Sequence, residues 1–368
     1  MPAAYMMLRV FVLLGGLIFS VVVSAHHAAF VHFDKDDMVE VTGELVSIDW
    51  RNPHTEMVIR ATDDAGIETL WLGQERGVTV LARKGVTLEL FEAGDTVRIA
   101  GFRGRQNKQS LFVTNIMLSD GREVYNESFA EQRWDADLAG TTLAAAQAEK
   151  LRNRPVSSAD IFRVWSTQIA AFDNLNTNLD RVLWDTSYPL TQYAAETQAT
   201  WDSVTENPFL YCQNGMPAIM DQVHPMEFVD QNGEILIRLE EQDIVRTVHM
   251  SDDAGDRETG SPLGYSVGHW EGDTLVVTTT NIDWPWFDQE GIPQTEALLL
   301  VERFTPSSDG YVLDYTLTAT DPAVFTETVE LSRSWIWVPG EAIQPNNCSW
   351  DDDSLTVGSR PGNRSRDD

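Results

Sequence analysis

Tyr311-Val312-Leu313-Asp314-Tyr315-Thr316-Leu317-Thr318-Ala319-Thr320 decides the fold. Tyr311, Leu313, Tyr315, Leu317 and Ala319 fall on one side of an extended chain and the polar residues on the other, the two-residue period of a strand with one buried face. Phe325, Val329, Leu331, Trp335 and Trp337 continue that parity with polar neighbours between them. Upstream, the same period predicts strands over 226–229, 234–240, 244–249, 265–270, 274–280 and 298–304. Gln231-Asn232-Gly233 and Glu271-Gly272-Asp273 supply tight turns between them. About eight antiparallel strands make a barrel or a sandwich. A barrel of that size either fills its interior with side chains or holds one small ligand.

Residues 38–118 predict a second, smaller β unit. Val39, Val41, Val46, Ile48 and Trp50 alternate with polar residues, with a change of register near Gly43 to Val46 that implies a bulge in a long first strand. Strands follow over 55–61 and 67–72, a short helix over 77–84, and strands over 96–101 and 110–118. Three strands, a helix and two strands is the order of an OB-like barrel. Between the units, period two gives way to helical stretches over 138–151, over 161–172 behind Ser157-Ser158-Ala159-Asp160, and from Pro189 to about Val204. The fold class is therefore mainly β: an N-terminal OB-like small barrel (26–125), a helical connector (126–207) and a C-terminal antiparallel β-barrel or sandwich (208–350). Residues 351–368 read as a disordered acidic tail.

Residues 1–25 read as a secretory signal. Arg9 precedes an apolar run from Val10 to Val23, too short for a comfortable membrane span, and Val23 and Ala25 stand where a signal peptidase prefers small residues. Cleavage after Ala25 would leave His26 as the first residue of a periplasmic or secreted protein with no membrane span. A free α-amine and the imidazole of one residue bind a metal together, and a further imidazole completes a planar nitrogen site suited to Cu(II). His27, His32 and His54 are the candidates for that further arm. His54 follows Trp50-Arg51-Asn52-Pro53, where proline keeps the preceding residue extended. The competing expectation is that His26 and His27 are merely terminal residues and that His54 is satisfied in a turn.

The 368 residues include 57 acidic against 26 basic ones, a formal net charge of -31. That surface repels nucleic acid and anionic lipid, so neither is an expected partner. Cys212 and Cys348 are the two cysteines. In an oxidising compartment they are expected to pair, closing a loop worth about 4 to 5 kcal/mol on the chain-entropy account. There is no nucleotide-binding glycine loop, no Gly-x-Ser-x-Gly elbow and no His-Glu-x-x-His pair, and paired cysteines leave no thiol nucleophile. Whether the chain is an enzyme is left open.

Ala25-His26-His27-Ala28-Ala29-Phe30, Trp50-Arg51-Asn52-Pro53-His54 and Gly94-Asp95 resemble a family of uncharacterised secreted bacterial domains that start just after their signal peptide. Starts in that family often read His-His-Ser; Ala28 removes the hydroxyl and none of the candidate nitrogen donors. The later portion is similar to a second family of secreted bacterial proteins of unknown function. It carries Cys212-Gln213-Asn214-Gly215-Met216-Pro217, Arg246-Thr247-Val248-His249-Met250, the run from Gly264 to Val277, Glu302-Arg303-Phe304 and Cys348. The resemblance implies export and a two-part architecture and names no reaction.

Within the second unit, His224, His249 and His269 with Met216, Met220 and Met250 form a soft set suited to Cu(I), against the plainer role of methionine as core filler. Arg333 shares the inward parity of Leu331 and Trp335, where it would meet a ligand carboxylate or a buried acid. Asp283-Trp284-Pro285-Trp286-Phe287-Asp288 places three rings in a loop that either lids a pocket or tucks under the barrel. Three functions follow: an exported metal-binding protein, copper first, through His26, His27, His32 and His54; a barrel that binds or transforms a small apolar molecule at Trp284, Trp286, Arg333, His249 and His269; or a non-catalytic envelope module that docks a partner protein.

Overall fold

The computed structural model describes residues 32–348 apart from 64, 126–130, 141–148, 150–154, 156–159, 168–186, 203–204, 222–223 and 252–259. The chain is mainly β, as the alternation predicts. The small unit contains β1 (Phe33–Asp49), β2 (Glu56–Thr62), β3 (Glu68–Gln74), α1 (Val78–Arg83), β4 (Thr96–Gly104), β5 (Ser110–Met117) and β6 (Glu123–Tyr125). Its sheet runs β3-β2-β1-β4-β5-β6, and a further parallel pairing of β3 with β5 closes five strands into a ring.

The long first strand makes that closure possible by pairing with β4 along its first part and with β2 along its second. Its register shifts between Leu45 and Ser47 against β2, where the sequence implies a bulge, and again between Asp34 and Met38 against β4. Gly43 lies so close to the next strand that a Cβ there would stand 2.3 Å from the Arg60 carbonyl oxygen. Leu45, Met57, Ile59, Ile99, Leu111 and Val113 fill the interior.

The large unit is a closed barrel of nine strands, one more than the alternation counted. They are β7 (Val164–Thr167), β8 (Met226–Asp230), β9 (Glu234–Leu239), β10 (Ile244–His249), β11 (Tyr265–Glu271), β12 (Thr274–Thr280), β13 (Leu299–Pro306), β14 (Val312–Thr320) and β15 (Val329–Ile336). The barrel closes in the order β10-β11-β12-β13-β14-β15-β7-β8-β9. All neighbours are antiparallel except β10 and β11, which share a short parallel seam at Val248–Ser266 and His249–Val267.

The ninth strand, β7, lies where a helix over 161–172 was expected. Asp160 does not cap a helix there; its carboxylate accepts from Phe162 N in a local turn, and Trp165 is wholly buried in the barrel core. Burial of an aromatic residue on the pleated wall outweighs the capping signal. α2 (Gln192–Thr200) starts later than Pro189, because Leu190 bridges to Phe325 and Thr191 is the residue that caps it. Most of the helix expected over 138–151, the signal region with His26 and His27, and the expected tail lie outside the described residues.

Cys212 and Cys348 form a disulfide, as expected, tying the chain beyond β15 to the turn between β7 and β8. A short 3-10 turn, Ala218–Asp221, puts Ile219 and Met220 wholly inside the barrel core.

Candidate functional site

His32 and His54 are the two described histidines of the small barrel. His32, half-buried, precedes β1, and its carbonyl accepts from Arg105 N. Burial lowers its pKa below the ordinary histidine value, which favours the neutral ring that a metal requires. The next residue, Phe33, packs on Phe112 with ring centroids 5.6 Å apart, and the Arg76 guanidinium lies 5.9 Å from the Phe112 ring. Glu75, beside Arg76, follows β3, and Nδ1 of His54 lies 3.1 Å from its carbonyl oxygen. A carbonyl only accepts, so Nδ1 carries the proton and the lone pair of the neutral ring sits on Nε2, the orientation metal-binding imidazoles commonly have. Glu56, two residues on, is pushed up to about 7, chiefly by burial, with the Arg51 charge opposing and that of Asp49 adding. Among the described residues, no group of three or more His, Cys, Asp or Glu side chains is placed to hold a metal ion.

The candidates in the large barrel are scattered. His249 stacks on Tyr265 and sits 3.0 Å from a Glu234 carboxylate oxygen. His269 stands exposed on the outer wall, 3.3 Å from Glu271. Met216 and Met220 are wholly buried, so the soft set is not assembled around one point. Trp284 packs its indole against Gly215, and Trp286 meets Trp201 edge-on at 6.1 Å. Phe287 is buried between Tyr188 and Phe325. Asp288 braces the loop by accepting from the amides of Glu290 and Ile292, and Gln294 donates to the carbonyls of Trp284 and Met216. Phe287 thus tucks into the barrel core, while Trp284 and Trp286 are half-buried against Gly215 and Trp201. Arg333 points inward as its parity predicts. It donates to the Met220 carbonyl at 3.0 Å and to Thr167 Oγ1, lies 3.7 Å from Asp221 and covers the Trp335 ring at 4.6 Å.

Residues 17–112 match a family of unknown function, DUF6152, over the candidate imidazoles and the small barrel up to β5. No curated protein matches the chain. No described helix is long and apolar enough to cross a membrane.

Two buried polar clusters escaped the sequence reading. In the barrel, Arg246 donates to both oxygens of Glu302, to Ser266 Oγ and to Thr279 Oγ1, and the Tyr315 hydroxyl donates to Glu302 at 2.9 Å. Arg246 and Glu302 are each at most 1% exposed. The signal was present: Arg246 shares the parity of Ile244 and Val248, and Glu302 that of Leu300 and Phe304. Where the barrels meet, one Glu240 oxygen accepts from Asn52 Nδ2 at 3.2 Å and Thr79 Oγ1 at 2.6 Å and lies 3.1 Å from His224 Nδ1. The other accepts from Gln344 N at 2.8 Å. No local pattern announces this cluster, because its members are far apart in the chain.

Proposed function

We propose that the chain is an exported metal-binding protein, with copper as the expected ion, held by imidazoles where the mature N-terminus meets the small barrel. The observation that carries the reading is the hydrogen bond from His54 Nδ1 to the Glu75 carbonyl, which fixes the ring in the tautomer that binds through Nε2. The neutral state favoured at His32 points the same way. An N-terminal His26 would add its amine and ring, giving a nitrogen-rich set that suits Cu(II) over Mg or Ca. The export half of the reading rests on the segment before His26 and on the resemblance of both halves to secreted bacterial families.

The test is Cu(II) titration of the protein beginning at His26 against a form with one extra residue before it, and against His54→Ala. Both changes are expected to weaken binding by about tenfold or more, the scale of losing a ligand or its support. Equal affinity in all three overturns the proposal, as does an exported form whose first residue is not His26.

A further inference from the structure

His224 is held between two carboxylates at the junction of the barrels. Nδ1 lies 3.1 Å from Glu240 Oε1 and Nε2 lies 3.3 Å from Glu241 Oε2. All three side chains are buried. The same Glu240 oxygen takes hydrogen bonds from Asn52 and Thr79, which belong to the small barrel, so His224 and Glu240 together join one unit to the other. Thr79 N also donates to Asn52 Oδ1, which makes loop 50–54 and α1 a single anchoring face. Beside it Arg83 of α1 forms a two-pronged pair with Glu341, which also accepts from Ser166 Oγ.

The proton count of this arrangement is restrictive. A carboxylate only accepts, so the contact with Glu240 requires a proton on Nδ1. The contact with Glu241 then requires one more proton, either on Nε2 or on the Glu241 carboxyl. Without it, an Nε2 lone pair faces a carboxylate oxygen in a site water does not reach, and both carboxylates stand around a neutral ring.

We infer that His224, Glu240 and Glu241 form a proton-dependent clasp between the two barrels, closed while the shared proton is present and slackened when rising pH removes it. Burial by itself would push His224 down. The carboxylates of Glu241 and Glu240 outweigh it and raise the imidazole above its ordinary value, with the Arg83 charge opposing. Glu241 is raised as well, by burial first, with the Glu240 charge adding and His224 opposing. Both groups have raised folded-state values, so the stability each contributes is complete below its unfolded value and is lost as pH rises through the folded one. The two act in the same direction, and Asn52 carries the effect to within two residues of His54. The clasp does not depend on any metal.

Hydrogen exchange of the full, disulfide-bonded chain, corrected for the intrinsic pH dependence of exchange, reads the clasp directly. Peptides covering 50–54 and 77–84 report the junction, and a peptide over 312–320 reports the barrel wall. Between about pH 6 and about pH 9, junction protection is expected to fall by about tenfold, while the wall stays protected. Glu241→Gln, which cannot gain the second charge, is expected to keep the junction protected at the alkaline end. His224→Gln leaves Glu241 buried beside Glu240 and is expected to keep an alkaline loss of junction protection. Constant junction protection in the wild type overturns the inference, as does a Glu241→Gln protein that follows the wild-type pH response. If His224→Gln fails to fold, the Glu241→Gln comparison still decides.

Discussion

Replacing Glu302 by leucine would leave the Arg246 guanidinium charged inside the barrel, with the hydroxyls of Ser266 and Thr279 and the weakly accepting sulfur of Met220 as its remaining acceptors. Removing one partner of a buried pair costs about 3 to 5 kcal/mol, because the remaining charge has left water and lost what compensated it. The Tyr315 hydroxyl loses its acceptor in the same change, and an unsatisfied buried hydroxyl costs about 1 to 3 kcal/mol. Arg246→Met with Glu302→Leu should recover most of the first loss, since well-packed apolar residues of similar volume commonly equal or exceed a buried ion pair. Ser266 and Thr279 stay satisfied, their hydroxyls lying 2.9 Å apart. Adding Tyr315→Phe should recover the second loss and bring the triple variant to within about 1 kcal/mol of wild type. Urea unfolding, followed by near-ultraviolet dichroism of the buried Trp165 and Trp335, ranks the four proteins by midpoint at unchanged slope. A single Glu302→Leu variant within about 1 kcal/mol of wild type refutes the reasoning, and so does a triple variant no more stable than the single one.

Cys212 and Cys348 are separated by 136 residues, so replacing both with alanine should cost up to about 5 kcal/mol on the chain-entropy account. The expected readout is a lower urea midpoint that dithiothreitol does not lower further, whereas dithiothreitol does lower the wild-type midpoint. Glu56, raised from 4.5 to about 7, is a group whose contribution is intact in acid and lost as pH climbs through neutrality. Glu56→Gln should therefore flatten the melting-temperature profile between about pH 5 and pH 7 and melt above wild type beyond it. Superimposable profiles would show that the Glu56 carboxyl is not held protonated by its surroundings.

What the sequence made legible follows from the range over which each interaction acts. Every strand from β8 to β15 was read near its observed bounds, because alternation and the turn residues that end it are local. β10 and β12 were read to the residue. The bulge near Leu45 was legible for the same reason, as a break in parity that only an extra residue explains. β7 was not, since four residues carry too little period to compete with a capping signal, and the segment is committed to a strand only by partners on β8 and β15. Arg333 was found by its parity, and the same test applied to Arg246 and Glu302 would have matched two inward charges of opposite sign on non-adjacent strands. The clasp is different in kind: Asn52 and Glu240 are 188 residues apart, and neither has a neighbour that marks it as buried. In the sequence, the feature of the loop before His54 is Pro53, which keeps the residue before it extended. The structure adds Asn52, whose amide is tied to the second barrel, so the orientation of His54 depends on the junction as well as on Pro53. A substitution at Glu240, more than 180 residues from His54, should therefore disturb the ring and any metal it binds, whereas one at the exposed His269 should not.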